Sequence, residues 1–419
     1  MLLIYSHTTS SRLQYTCKLL FQTILGIDFE LTTNSEEYNH FEGPKFCYGD
    51  LETTGFTIKP HSILFEQGIR SYDLSKPEIF QDPLALAFYV VSRHEEYLPF
   101  EADEHGRFDV GSSILFSKGL LKQPYIHQLA EELLYNLKQH HPELIARYRD
   151  HSPKILIDID QAFSYLGKGL WWSAYMSLKN LLNGKSDRIM EQWKVKFGAL
   201  QDPFDAYEFL KEKQLASGID FLYFIHCGDR GKFDKVLPLT IEPVRQLIKN
   251  ISTDSQTGIH PSYYSNQDSN ILHTEILRLK QITGKEVSIS RQHYLRLFMP
   301  FSYHQLMNEG IYADYSMGYA KEEGFRSGMC VPYPWYDLSN EIETPLIIHP
   351  VCFMEGIFAE EKRLSPGYAW RIIEELMNTV SKYHGQFISA WHNHTVTDQG
   401  EWKGWQAVFV QMLEKLAAR

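Results

Sequence analysis

Two aspartates, Asp158 and Asp160, end an apolar run that reads KILIDID over residues 154–160. Side chains of a β-strand alternate between its faces, so Leu156, Asp158 and Asp160 share one face and the three isoleucines share the other. Both carboxylates then emerge at the carboxyl end of the strand, where α/β proteins carry their chemistry. Two such acids can act as general base and metal ligand, or divide acid–base roles. The structural alternative is a solvated strand end that caps the next helix.

Several other predicted strands also end in residues that can take part in catalysis. A single histidine at a strand end is more often structural, but repetition at so many strand ends favours one shared site at the mouth of a barrel. These residues are His226, His260, Arg291, His293, Asp314, His349 and His392.

The elements that position these residues alternate between strand and helix. Such alternation predicts a parallel sheet covered by helices, either a barrel or an open sheet. The predicted strands are 155–159, 221–225, 257–260, 287–289, 346–349 and 386–391, and the helices 243–250, 270–283, 367–384 and 401–418. The preceding residues mix short strands (1–6, 56–59) with helices (84–96, 126–140), and a polar stretch at 148–153 follows. We therefore predict a smaller α/β domain at 1–150 and a second domain at 151–419.

Composition limits the possible partners and location. The formal net charge of −11 argues against nucleic acid, because nucleic-acid binding relies on basic surfaces. The chain has 25 Tyr, 25 Phe and 8 Trp, which suit sugar stacking and ordinary packing equally. Five cysteines without a Cys-x-x-Cys pair indicate reduced thiols and a cytoplasmic protein. No apolar stretch approaches the ~20 residues of a membrane span.

The order of these motifs resembles the polysaccharide deacetylase family (carbohydrate esterase family 4), over roughly residues 150–419. Residues Ile157–Asp160 are similar to its Thr-Phe-Asp-Asp motif, with one residue inserted between the acids. Residues 258–265, GIHPSYYS, are similar to its His-Ser/Thr-x-x-His motif, with Tyr264 in place of the second histidine. Arg291–Tyr294 resembles Arg-x-Pro-aromatic, and Ser389–Asn393 resembles the last motif, which contributes a histidine. The arrangement is similar to a distant group of bacterial deacetylase-like proteins with an extra N-terminal domain.

The resemblance implies an irregular (β/α) barrel and a metal-dependent hydrolase that removes an acetyl group from a sugar or glycan precursor. Asp158 is then the catalytic base, Arg291 its orienting partner and His392 the general acid. Asp160 and His260 are ligands of a divalent metal, with zinc expected. The third ligand is open among His226, Tyr264 and His293; we favour His226, because its strand follows that of Asp160 and is expected to lie beside it.

Two other functions remain possible at this point. A degenerate glycan-binding protein is favoured by Tyr264 and disfavoured by the retained Asp158, Arg291 and His392. A barrel glycosidase is less favoured, because two acids on one strand face lie too close for its usual carboxylate separation of about 5 Å or more.

Three further groups of residues have weaker indications. His394 and Asp398 are predicted to be loop residues, with a position in the site as the alternative. Arg93, Glu95 and Glu96 are expected on an exposed or interdomain face. Residues 105–107, HGR, indicate a turn first and a site second.

Overall fold

A computed structural model describes residues 1–51, 55–74 and 78–418. Its amino-terminal half is built on a parallel four-stranded sheet in the order β2-β1-β3-β4. The strand predicted at the amino terminus is present and fully buried. The strands are β1 (Leu2–Ser6), β2 (Phe29–Thr32), β3 (Lys45–Tyr48) and β4 (Thr57–Ile58).

Helices surround this sheet, and the sequence explains where the central one begins and ends. Asp82 caps it by accepting hydrogen bonds from the amides of Leu84 and Ala85, and a proline takes the first helical position. The helix predicted at 84–96 ends at Val91, since Arg93 has a left-handed φ of 56°. The helices of this half are α1 (Ser11–Cys17), α2 (Ser35–His40), α3 (Glu78–Gln81), α4 (Pro83–Val91), α5 (Ile114–Ser117) and α6 (Tyr125–His140).

The second half contains a curled nine-stranded sheet in the order β10-β11-β9-β8-β7-β6-β5-β13-β12. All neighbouring strands are parallel except the pair β10 and β11. The strands are β5 (Lys154–Ile159), β6 (Asp220–Ile225), β7 (Gln256–Ile259), β8 (Ile289–Ser290), β9 (Ala313–Met317), β10 (Tyr333–Asp337), β11 (Ile342–Pro350), β12 (Phe353–Met354) and β13 (Ile388–His392).

The chain between β11 and β12 closes this sheet into a barrel. β11 pairs with β9, and β12 pairs with β13 on the other side of the gap. Consecutive amides bridge the two sides: Val351 donates to the carbonyl of Met317, and Cys352 to that of Ile388, both at 2.9 Å. Inward side chains that include Leu156 and Phe224 form a separate apolar cluster in the barrel. The predicted irregular (β/α) barrel, preceded by a smaller α/β unit, is confirmed.

Helices cover the outside of the barrel. The four that the sequence predicts are present as α10, α11, α13 and α14, and the pair α7 and α8, between β5 and β6, was not predicted. The bounds are α7 (Leu170–Leu182), α8 (Ser186–Lys196), α9 (Tyr207–Ser217), α10 (Glu242–Asp254), α11 (Ser269–Thr283), α12 (Phe301–Asn308), α13 (Pro366–Lys382) and α14 (Trp405–Ala417).

Buried charges join the two halves. Glu96 is 5% exposed and binds Arg93 from its own half and Arg326 from the barrel half, each through contacts of 2.7 Å. The cluster expected on an exposed or interdomain face is therefore interdomain and buried. The boundary near residue 150 stays a prediction.

The cysteines and helices bear on the expected location of the protein. All five cysteines are free and buried. Within the described ranges, no helix is long and apolar enough to cross a membrane. The cytoplasmic location stays a prediction.

Candidate active site

A cleft of about 260 Å³ opens at the carboxyl ends of the barrel strands. Asp158 and Asp160 reach it from β5, and His392 from the end of the adjacent β13. The expected alternation of β5 holds, because its isoleucines pack outward against the helices while Leu156 lies in the barrel interior. The segments that follow β7 and β8 contribute His260, Arg291 and His293 to the same cleft.

Asp158 and Arg291 form a buried ion pair on one side of the cleft. Nε of Arg291 donates to both carboxylate oxygens of Asp158, at 2.8 and 3.1 Å, and its Nη1 donates to the carbonyl of Tyr315 at 2.7 Å. Each side chain is at most 2% exposed. The arginine therefore fixes the orientation of the carboxylate and neutralises its charge, as the motif resemblance implies.

Asp160, His260 and His293 form a cluster in which three possible ligand atoms face one another. Nε2 of His260 lies 3.1 Å from Oδ1 of Asp160, and Nε2 of His293 lies 3.4 Å from Oδ2. Nδ1 of His260 lies 2.5 Å from the carbonyl of Arg291, which can only accept a hydrogen bond. The proton of the neutral His260 ring is therefore on Nδ1, and the lone pair of Nε2 points towards Asp160.

Asp234 orients the ring of His293, as the carbonyl of Arg291 orients that of His260. Oδ1 of Asp234 lies 2.9 Å from Nδ1 of His293 and 2.8 Å from Nε2 of His226, and it accepts the amide of Tyr263. These bonds hold the pKa of Asp234 below its usual range although burial acts to raise it. Because Nδ1 of His293 is held by Asp234, its Nε2 is free to face Asp160. Carboxylate–histidine pairs of this kind are typical behind metal ligands.

The residues of this cluster fit a divalent cation. Oδ1 of Asp160 is buried and makes no hydrogen bond with any described residue. One carboxylate oxygen and two imidazole nitrogens are also a donor set that catalytic zinc accepts. Burial lowers the pKa of His293, but Asp160 and Asp234 outweigh it and raise the pKa to about 9. The pocket therefore attracts positive charge.

His392 lies beside Asp158 in register on the adjacent strand β13, and it has its own carboxylate partner. Oε1 of Glu355 lies 2.7 Å from Nδ1 of His392 and accepts its backbone amide at 2.8 Å, while Nε2 lies 3.5 Å from Oδ2 of Asp160. Burial lowers the pKa of His392, but Glu355 first and Asp160 next outweigh it and raise the pKa to about 10. This raised pKa favours the protonated form of His392, whose Nε2 faces Asp160.

A loop from the amino-terminal half forms one wall of the cleft. Glu104, His105 and Arg107 line it, and the predicted turn is present at Gly106, which has a φ of 74°. The loop is tied to the barrel because Nη1 of Arg107 donates to the carbonyl of Tyr294 at 2.8 Å. The ring of His105 in this loop contacts Phe233, Tyr263 and Tyr294, and Tyr264 completes this aromatic cluster.

The structure places the other sequence candidates in different positions. His226 ends the strand beside β5, as expected, but its Nε2 is directed at Asp234 and it does not line the cleft. Tyr264 is 44% exposed and lies outside the cleft lining. His394 lines the cleft, where burial and then the charge of His392 lower its pKa to about 4.

The remaining candidates, two at predicted strand ends and one in a loop, make structural contacts. Asp314 accepts hydrogen bonds from Ser290 and Ser316, and His349 stacks on Tyr315 with ring centroids 4.2 Å apart. Asp398 accepts the amide of Gly404. None of these three lines the cleft.

Two functional carboxylates, Asp234 and Glu355, were missed by the sequence analysis. Asp234 lies in an irregular segment, where no periodicity marks it. Glu355 directly follows β12, which has only two residues, Phe353 and Met354. A strand that short gives too little alternation to be recognised, so the acid at its end carried no signal.

Comparisons with known proteins describe the two halves differently. Residues 2–142 match a family of unknown function, DUF7033. No curated protein matches the chain. Similar solved structures include a protein assigned as a polysaccharide deacetylase from Mycobacterium smegmatis, at 12% identity over 65% of this chain and 89% of that one, with a TM-score of 0.40.

Two related solved structures come from one Bacillus anthracis protein. The CE4 family pseudoenzyme is 9% identical over 64% of this chain and 63% of its own length, with a TM-score of 0.31. A mutant of it with restored enzymatic activity is 10% identical over 64% and 65%, also with a TM-score of 0.31. This chain thus spans slightly less than two thirds of either one. These neighbours carry the name of the family that the sequence motifs resemble.

Proposed function

We propose that the protein is a metal-dependent hydrolase that removes an acetyl group from a sugar or glycan precursor. The observation that carries the proposal is the convergence of three arrangements on one cleft. These are a neutralised carboxylate (Asp158), a three-ligand cluster around Asp160, and a protonated histidine (His392). Deacetylation needs a base for water, stabilisation of an oxyanion and an acid for the leaving group.

The residues divide this chemistry as follows. Asp158, held by Arg291, accepts a proton from the attacking water. His392, held by Glu355, donates a proton from Nε2 to the departing amine or hydroxyl. Because these two groups belong to neighbouring strands, β5 and β13, the acyl carbon is accessible to both. The carboxylate partner of each group keeps it in one orientation.

We propose that Asp160, His260 and His293 hold the cation. Bound there, a Zn²⁺-like ion would supply Lewis-acid polarisation of the acetyl carbonyl and lower the pKa of water. This assigns the third ligand to His293 and not to His226, which the sequence favoured. Nε2 of His226 donates its hydrogen bond to Asp234 and so has no lone pair for a cation. His226 then supports His293 through that shared carboxylate.

The two alternative functions have less support. The binding-protein hypothesis depended on the loss of a ligand at Tyr264, and His293 next to Asp160 supplies a replacement. A glycosidase needs two carboxyl groups free to act on a sugar. Here Asp160 faces the ligand atoms of His260 and His293, so Asp158 is the one acid of the pair left for acid–base work, which favours the hydrolysis of an acyl group.

Metal content of the purified full-length chain tests this proposal. We expect the wild type to bind one divalent ion, measured by elemental analysis and by titration with Zn²⁺. Asp160→Asn and His293→Ala should abolish stoichiometric binding, because each removes a proposed ligand. His226→Ala should weaken affinity by about 10–100-fold, the usual effect of removing a group behind a ligand.

His349→Ala is the matched control, since it removes a partly buried histidine outside the cleft. Its metal content should equal that of the wild type. If the wild type binds no divalent ion, the glycan-binding hypothesis is favoured over the hydrolase. Loss of the ion in His226→Ala with retention in His293→Ala would reverse our ligand assignment.

A further inference from the structure

The helical hairpin (residues 168–197, with α7 and α8) exposes an apolar stripe. Trp171, Tyr175, Leu178 and Leu182 recur at helical spacing along one face of α7, and they are 92%, 62%, 57% and 79% exposed. Met190 on α8 and Phe197 directly after it are also exposed. Apolar surface as continuous as this is uncommon on a soluble protein and typically marks an interaction site.

The two helices pack against each other through polar side chains. Ser173, Asn180 and Gln192 are buried, and Nε2 of Gln192 donates to the carbonyl of Ser173 at 2.9 Å. Nε1 of Trp193 donates to Oγ of Ser177 at 3.1 Å. The buried residues of the hairpin are thus these three polar side chains and Val195, while the large apolar side chains of the stripe lie outside. Helices that face lipid pack in this way.

The charge of the hairpin selects the kind of partner. It carries six basic side chains and two acidic ones, within a chain of formal net charge −11. The two acids are Asp187 and Glu191, and the bases are Lys168, Lys179, Lys185, Arg188, Lys194 and Lys196. Four of the bases are exposed, and Nζ of Lys168 lies 4.6 Å from the ring centre of Trp172. Basic residues beside Trp, Leu and Phe are typical of helices that lie in an anionic membrane interface.

We propose that the helical hairpin binds the surface of an anionic lipid bilayer. The apolar stripe enters the boundary between headgroups and acyl chains, and the basic side chains contact lipid phosphates. The hairpin lies on the bilayer and does not span it, since α7 has 13 residues and spanning takes about 20. It follows β5, so it projects from the same end of the barrel as the cleft. The proposal goes beyond the proposed function and stands on separate residues.

Sedimentation of the full-length chain with lipid vesicles tests the proposal. We expect binding to vesicles of phosphatidylglycerol and phosphatidylcholine in equal parts, and little binding to phosphatidylcholine alone. The triple variant Trp171→Ser, Leu178→Ser, Leu182→Ser should reduce the bound fraction at least about tenfold, because binding scales with buried apolar area. The matched control Tyr135→Ser, Ile145→Ser, Leu215→Ser removes three equally exposed side chains elsewhere and should bind as the wild type.

A charge variant separates the electrostatic part of the binding. Lys179→Glu, Lys185→Glu, Arg188→Glu should lose binding to anionic vesicles, whereas the same change at Lys138, Lys249 and Lys280 should not. No binding of the wild type to anionic vesicles would overturn the proposal. So would unchanged binding in both hairpin variants. A dimer in analytical ultracentrifugation that the serine triple dissociates, without vesicle binding, would show that a second copy of the chain covers the stripe.

Discussion

Asp158→Asn should abolish acetate release while the fold and the metal content stay as in the wild type. The amide keeps an oxygen that can face Nε of Arg291, but it cannot accept a proton from water. A positioned general base contributes about 10²–10⁴-fold, so we expect a loss of that size in kcat. Acetate release from N-acetylated glucosamine oligomers measures it, and circular dichroism and elemental analysis follow fold and metal.

Two variants make this result specific. Asp220→Asn changes an exposed acid at the opposite end of the adjacent strand β6 and should leave activity unchanged. Asp160→Asn should lose activity together with the metal, whereas Asp158→Asn should lose activity alone. Activity of Asp158→Asn within about tenfold of the wild type would remove Asp158 from the role of base.

Glu96→Ala should destabilise the whole protein by about 3–5 kcal/mol, because it leaves the buried Arg326 without its carboxylate partner and Arg93 with Glu95 alone. Both Nε and Nη2 of Arg326 donate to the Glu96 carboxylate, at 2.9 and 2.7 Å. Burial acts to raise the pKa of Glu96, but Arg326 and Arg93 outweigh it and lower the pKa. The carboxylate is therefore charged where it joins the two halves of the chain. Urea unfolding at neutral pH measures the change.

The exposed Glu375 on α13 provides the control. Glu375→Ala should alter the free energy of unfolding by no more than about 0.5 kcal/mol, as is usual for surface positions. A Glu96→Ala protein as stable as the wild type would mean that water reaches the arginines and that the interface between the halves is not a tightly packed one.

The sequence predicted most of the barrel, because its strands are apolar runs separated by amphipathic helices. It failed where that contrast is weak. β12 has only two residues, and β10, which includes a proline, lies antiparallel at the edge. The hairpin of α7 and α8 was missed although Trp171, Tyr175, Leu178 and Leu182 recur at helical spacing, a signal that the sequence does contain.

The candidate site was predictable as far as strand alternation extends. Asp158 and Asp160 lie within or directly after β5, and their shared face follows from the period of two. Beyond a strand end, side-chain direction depends on local hydrogen bonds. His226 was favoured because its strand neighbours β5, and that adjacency holds. Its ring nevertheless donates to Asp234, an interaction between loops that no periodicity encodes, and His293 faces Asp160 instead.

The loop that contains Glu104, His105 and Arg107 places side chains of the amino-terminal half in the wall of the cleft. Under the proposed function, a glycan in the cleft would contact this loop on one side and the barrel residues on the other. Changes in the loop would then alter which sugar is accepted, while the proposed catalytic groups of the barrel stay the same. The barrel without the amino-terminal half would lack one wall of its binding site.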